Sequence, residues 1–278
     1  RILMELDQLY KVTGKPHAER LAFLEQYPTL IAERDDLLLE QITLLNQLGR
    51  YEEAIPLLDG HIFHPWEGGE GKVPAQYQYA RVEKAKEMLN TPDSASEKAI
   101  ALLEECLIYP HHLGEGKLHG AQENDFYYFL GCAYEKLGNM ECARECWEKA
   151  TSGPTEPVAA MYYNDAKPEK IFYQGLALQK LGRTDEANGR FYKLVNYGKQ
   201  HIFEPQVMDY FAVSLPDLQI WDGDLNEKNR IHCLFMLALG YTGLGETEKG
   251  KRYLHEVEQL DINHQGIMAL KNLLNNEK

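Results

Sequence analysis

The chain has little cysteine, little positive charge and no long apolar run, and each shortage excludes something. Its 278 residues include five cysteines, Cys106, Cys132, Cys142, Cys146 and Cys233, an odd number without a C-x-x-C pair. That pattern supports no disulfide framework. All five fall in helical patterns, so the expectation is small buried side chains in a reducing compartment. Lys and Arg total 29 against 43 Asp and Glu, a formal charge of −14. Nucleic acid is held by basic side chains that displace counterions, so neither it nor an anionic membrane surface is expected as a partner. No apolar stretch approaches the roughly 20 residues that cross a bilayer. A cytoplasmic location is the expectation. The chain starts at Arg1 rather than Met, which reads as a piece of a longer protein.

What the chain does have is an internal repeat. "LGRYEEA" at 48–54, "LGNMECA" at 137–143, "LGRTDEA" at 181–187 and "LGETEKG" at 244–250 share one form. The Leu-Gly ends a helix, because Gly accepts the left-handed cap conformation. Five positions on stands a small residue, Ala54, Ala143, Ala187 or Gly250, where a second helix must come close. The unit is a helical hairpin. Tyr127, Leu130, Gly131, Tyr134, Ala143, Trp147 and Ala150 fall at the spacing W-x2-L-G-x2-Y, then A-x3-F, then A. With Ala54/Leu58, Ala99/Leu103, Ala187/Phe191 and Gly250/Leu254 repeating the second half, the chain resembles the tetratricopeptide repeat (TPR) family.

The expected fold is therefore all-α, a right-handed α-solenoid of TPR-like hairpins with long inter-repeat inserts, forming a single domain over 1–278. Residues 1–33 are expected as N-terminal cap helices, 34–260 as about five hairpins, and 261–278 as a C-terminal capping helix with Ile267, Leu270 and Leu274 inward. The inserts explain the repeat length. Gly138 and Gly182 lie 44 residues apart, against about 34 in the family. The extra residues, 60–74, 109–123, 151–168 and 200–228, all follow the second helix of a hairpin. In a stack of hairpins they emerge at one edge, where four of them would line up as a ledge. Loops this long are functional or disordered, and these are too aromatic for disorder.

Their contents resemble one another. "GEGK" occurs at Gly69–Lys72 and Gly114–Lys117, and "HIF" at His61–Phe63 and His201–Phe203. Several sharp readings fail on spacing. A phosphate loop needs Gly where Trp66 and His111 stand and Ser or Thr where Val73 and Leu118 stand. A calcium loop from Asp222, Asp224 and Asn226 would need Gly and Glu where Glu227 and Cys233 stand. His61 and His64 have no companion zinc ligands, so no metal and no cofactor are expected.

Two readings remain. In one, glycines turn the chain, tryptophans cap hairpin ends, and the charges are solvated. In the other, the ledge binds a ligand through His64, Trp66, Glu67, Glu70, Lys72, Glu115, Lys117, Tyr163, Asn164, Asp165, Asp217, Trp221 and Asp222. Aromatic faces with carboxylates and amides suit a neutral carbohydrate better than a nucleotide. "FHPWEGGEGK" and "DYFAVSLPDL" are also similar to the C-terminal repeat region of long bacterial proteins whose N-terminal domain, of unknown function, resembles sugar mutarotases. That resemblance implies a carbohydrate context.

The first functional expectation is a binding or scaffold module rather than an enzyme on its own. Its partner would be another protein or a preceding part of the same chain. The alternative is part of a carbohydrate-active site, with Glu67, Glu70, Glu115, Asp165, Asp217 and Asp222 as candidate carboxylates.

Overall fold

The computed structural model describes residues 1–91, 95–159, 165–207 and 224–276. Among them are fourteen α-helices and no strand, so the all-α expectation holds. Three helices lead in: α1 (Ile2–Val12), α2 (His17–Leu24) and the short α3 (Pro28–Ala32). Five hairpins follow. They are α4 (Asp35–Gln47) with α5 (Tyr51–Gly60), α6 (Lys72–Asn90) with α7 (Ser96–Glu105), α8 (Asn124–Lys136) with α9 (Met140–Ala150), α10 (Pro168–Lys180) with α11 (Thr184–His201), and α12 (Leu225–Gly243) with α13 (Thr247–Leu260). The last helix is α14 (Gly266–Asn276).

The Leu-Gly signals act as the spacing predicts. Gly49, Gly138, Gly182 and Gly245 have φ of 72°, 75°, 77° and 76°. Each closes its helix with the paired bonds of a Schellman cap; Asn139 N–H donates to Tyr134 O at 2.9 Å and Gly138 N–H to Glu135 O at 2.9 Å. Inside the hairpins the small residues set the approach. Ala54, Ala143, Ala150 and Ala187 have no exposed surface. A side-chain carbon on Gly131 would lie 2.3 Å from Trp147 Nε1, and one on Gly175 would lie 2.3 Å from Phe191 Cε1. The two contacts stand 44 residues apart, one repeat length.

The first helices of the hairpins, α4, α6, α8, α10 and α12, pack one on the next as a layer, and α5, α7, α9 and α11 each pack on the first helix of the following hairpin. The layer is curved, and α14 proves it. It packs on α12 and α13, yet Lys86 of α6 donates to Ala269 O at 3.2 Å and Asn272 donates to Glu83 of α6 at 3.3 Å. Helices spaced about 10 Å apart would hold α6 and α12 about 30 Å apart in a flat layer. A helix of 11 residues spans only about 16 Å. The first-helix layer is therefore concave, and α14 lies across it with Ile267, Leu270 and Leu274 buried.

The two ends of the array also meet. Asn263 accepts from Arg20 Nη1 at 2.9 Å, sits 3.1 Å from His17 Nε2, donates to Lys11 O at 3.2 Å, and takes a bond from Gln47 through its own carbonyl at 2.7 Å. Arg20 is fully buried and pairs with Asp7 at 2.7 Å and Glu40 at 2.5 Å. Two large apolar clusters fill the interior, Leu21 to Ala80 with Leu113 and one running from Val82 to Leu274, and a small third joins Val195, Leu237 and Tyr241. The two large ones divide within α6. Three cysteines, Cys106, Cys146 and Cys233, are buried, and all five are free thiols.

Candidate functional site: the edge built by the inserts

Amide side chains set where three of the second helices, α7, α9 and α11, end and their inserts begin. Gln78 donates to Cys106 O at 3.2 Å. Asn124 donates to Ala150 O and Ser152 O, both at 2.8 Å, and Gln174 to Ser152 O at 3.0 Å and Pro154 O at 2.9 Å. Asn229 donates to His201 O at 2.7 Å. The last carbonyls of a helix lack partners within it, and a buried one is costly to leave unmet. These four amides meet that need and aim the chain outward. No loop motif announces them; the signal is an amide at a buried or part-buried position of a hairpin's first helix.

The first two inserts lock together. Phe63 N–H donates to His112 O at 2.8 Å, and Gly71 N–H donates to Glu115 Oε2 at 2.8 Å. Phe63 and Leu113 go into the N-terminal apolar cluster, at 2% and 1% exposure. Gly114, at φ 76°, lies under Phe63; a side-chain carbon there would stand 2.5 Å from the Phe63 carbonyl oxygen. Both the dihedral and the space thus require glycine. The insert is tied back to its own hairpin by Asp35 at the start of α4, which lies 2.7 Å from His61 Nε2 and accepts from His64 N–H at 2.7 Å. Burial alone would raise the Asp35 carboxyl, but the bonds from His61 and His64 outweigh it and hold the value below the ordinary range.

Glu115 is the sharpest group in this junction. Burial pushes its carboxyl above the ordinary range and the charge of Glu70 adds to that, while the Gly71 bond works the other way. Glu70 and Glu115, expected to be neighbours, are within electrostatic reach of one another. Trp66 is half-buried, with its indole against Gly69, where a side-chain carbon would come 2.2 Å from Cε2. Lys117 turns elsewhere, to Leu107 O at 3.1 Å and into an ion pair with Glu123. His64, Glu67 and Glu70 are exposed, and Lys72 begins α6.

The later inserts make other contacts. Val158 O takes a bond from His232 Nε2 of α12 at 2.9 Å, and Lys193 of α11 holds Thr155 Oγ1 at 3.0 Å and the Glu156 carboxylate. Asp165 lies on the α12 side, in electrostatic reach of His232. Asp224 caps α12 through Asn226 N–H at 2.8 Å, and Asn226 Oδ1 takes Gln206 N–H at 2.8 Å. Tyr163, Asn164, Asp217, Trp221 and Asp222 lie outside the described residues. Among the described residues no group of three His, Cys, Asp or Glu side chains could hold a metal, and no helix is long and apolar enough to cross a membrane.

Residues 125–152, the α8–α9 hairpin, match the family profile described as tetratricopeptide repeat.

Proposed function

We propose that this chain is a TPR-type binding or scaffold module whose partner surface is the edge formed by the inserts. Repeat arrays commonly bind on their concave surface. Here α14 covers that surface from within the same chain, and this single observation carries the reading. The first two inserts, by contrast, are held together by the Phe63–His112 and Gly71–Glu115 bonds. Around them stand exposed apolar side chains, Ile62 at 65%, Ile108 at 64% and Leu118 at 52%. With a formal charge of −14, the surface suits a protein partner that brings apolar contacts and basic flanks.

The test places a photoreactive benzoylphenylalanine at Trp66 or Leu118, and for contrast at Tyr192 on α11. Discrete protein adducts from the first two positions, and none from Tyr192, are expected. Adducts that form equally well from Tyr192 would reject the edge.

A carbohydrate surface is the second reading, and one observation favours it. A carboxyl raised by burial, Glu115, sits beside a second carboxylate, Glu70, and a half-exposed indole, Trp66. Calorimetry against neutral oligosaccharides separates the readings. Binding that disappears in Trp66→Ala supports the sugar surface; silence across the panel removes it.

A further inference from the structure

Residues 261–265 join α13 to α14, and Asn263 anchors this joint. Each of its polar groups is used. The side-chain oxygen accepts from Arg20 Nη1 at 2.9 Å and lies 3.1 Å from His17 Nε2, and the side-chain amide donates to Lys11 O at 3.2 Å. The backbone carbonyl accepts from Gln47 at 2.7 Å, and the N–H donates to Asp261 at 2.9 Å. Residues of α1, α2 and α4 thus hold the joint, from at least 216 positions away along the chain.

The rest of the closure is poorer. Gln47 Oε1 and Gln265 Nε2 are buried without a partner among the described residues, and a buried polar atom left unmet opposes the closed arrangement. Ile267, Leu270 and Leu274 are the buried apolar anchors of α14. Beside its first turn, Gln265, Gly266 and Ala269 border a space of about 120 Å³ against the concave face. Beneath it lies an ion pair, Glu83 with Lys86 at 2.7 Å, which α14 covers through Asn272 and Ala269 O.

The N-terminal helices rest on the same joint. The buried residue of α1 is a carboxylate, Asp7, which pairs with Arg20 of α2 at 2.7 Å. Arg20 divides its guanidinium among Asp7, Glu40 and Asn263. One buried polar network therefore runs from α1 and α2 to the root of α14, and a contiguous network of this kind couples what it joins.

We infer that α14 opens as a unit about residues 261–265 and uncovers the concave face, and that Asn263 is the latch by which the N-terminal helices keep it shut. A terminal helix with few apolar anchors on a short joint opens more easily than the core it covers. Loosening α1 and α2 releases α14. The device is separate from the insert edge and stands if that edge proves inert.

The test is amide hydrogen exchange on the full chain at neutral pH, joined to acylation of Lys86 by a succinimidyl ester, read by mass spectrometry. Lys86 is 4% exposed and lies under α14, so its acylation reports the uncovered face. In the unaltered chain, the amides of Leu270 to Leu274 should be at least about tenfold less protected than those of Leu234 to Leu239 in α12. Asn263→Ala should speed both α14 exchange and Lys86 acylation by about tenfold. Asp7→Asn, whose bonds reach only Arg20, should do the same from a distance. Unchanged protection of the α8–α9 hairpin shows that both variants remain folded. The latch is overturned if α14 exchanges no faster than α12 in the unaltered chain, if either variant leaves α14 and Lys86 unchanged, or if α8–α9 loosens to the same degree.

Discussion

The α8–α9 hairpin and the junction of the first two inserts are both close contacts, made by opposite means. In the hairpin, Gly131 lets the Trp147 ring onto the helix backbone, and the contact lies within the apolar cluster with only the indole N–H as a polar group. In the junction, Gly114 lets a backbone carbonyl in, and the contact is made by main-chain bonds, a carboxylate and two anchoring side chains, Phe63 and Leu113. The first kind of contact holds a fold together whatever surrounds it. The second has little apolar area of its own, and its value is to give a surface one fixed shape. Stability should therefore concentrate in the hairpin and surface definition in the junction.

The sharpest way to break that contrast is to compare two tryptophans. Trp147→Ala should destabilise by about 3–5 kcal/mol, because a fully enclosed ring leaves a cavity. Trp66→Ala should cost about 1 kcal/mol, as an ordinary substitution does. Chemical denaturation of both variants checks this, and equal losses would show that the junction is core. Next, Ala143→Leu should overpack the hairpin by about 1–3 kcal/mol and lower the melting temperature. Gly114→Ala should cost a similar amount through its dihedral and its clash with Phe63 O. Its mark should be faster amide exchange confined to the first two inserts.

Acid probes a third place, where the array closes. Burial pushes the His17 and His264 imidazoles below their ordinary value, more than their partners restore. A lowered histidine means that the unfolded chain binds the proton more readily. The stability these groups give is thus complete above the unfolded value, about 6.5, and is lost as pH falls through that value towards the folded one. Acidification should loosen α14 before it loosens the α8–α9 hairpin, and His264→Phe should shrink that effect; exchange rates at neutral and mildly acid pH check it. The smallest expected effect is at Glu115, whose carboxyl is raised. Its contribution is complete below the unfolded value and falls as pH rises through the folded one. Glu115→Gln should flatten that slope while keeping an acceptor for Gly71 N–H, as melts across the mildly acid range would show.

The hairpins were legible because their packing rests on spacing within a short stretch. Gly138, Ala143 and Trp147 stand within ten residues, and the chemistry of each states its role. The inward stripe Ile267, Leu270 and Leu274 was legible for the same reason. Where α14 lies was not, because nothing local says that it crosses to Glu83 and Lys86 on α6. The junction was legible in part. The repeated "GEGK" pointed to neighbouring loops, and Glu70 does lie close enough to Glu115 to raise it. The partners that lock the loops were hidden, since Phe63 N–H and His112 O are backbone groups without a sequence signature. Asp35, the anchor of His61 and His64, stands 26 residues before His61 on another element. Lys117 pairs with Glu123, six residues on in its own insert, rather than with Glu70 of the neighbouring one.

Amide hydrogen exchange, read residue by residue on the unliganded chain, tests most directly that the first two inserts form one built surface. Phe63 N–H and Gly71 N–H should exchange slowly, within an order of magnitude of the helical amides of α6, while Gly116 and Gly120 exchange at loop rates. Phe63 and Gly71 exchanging as fast as Gly116 and Gly120, with α6 still protected, would contradict the account.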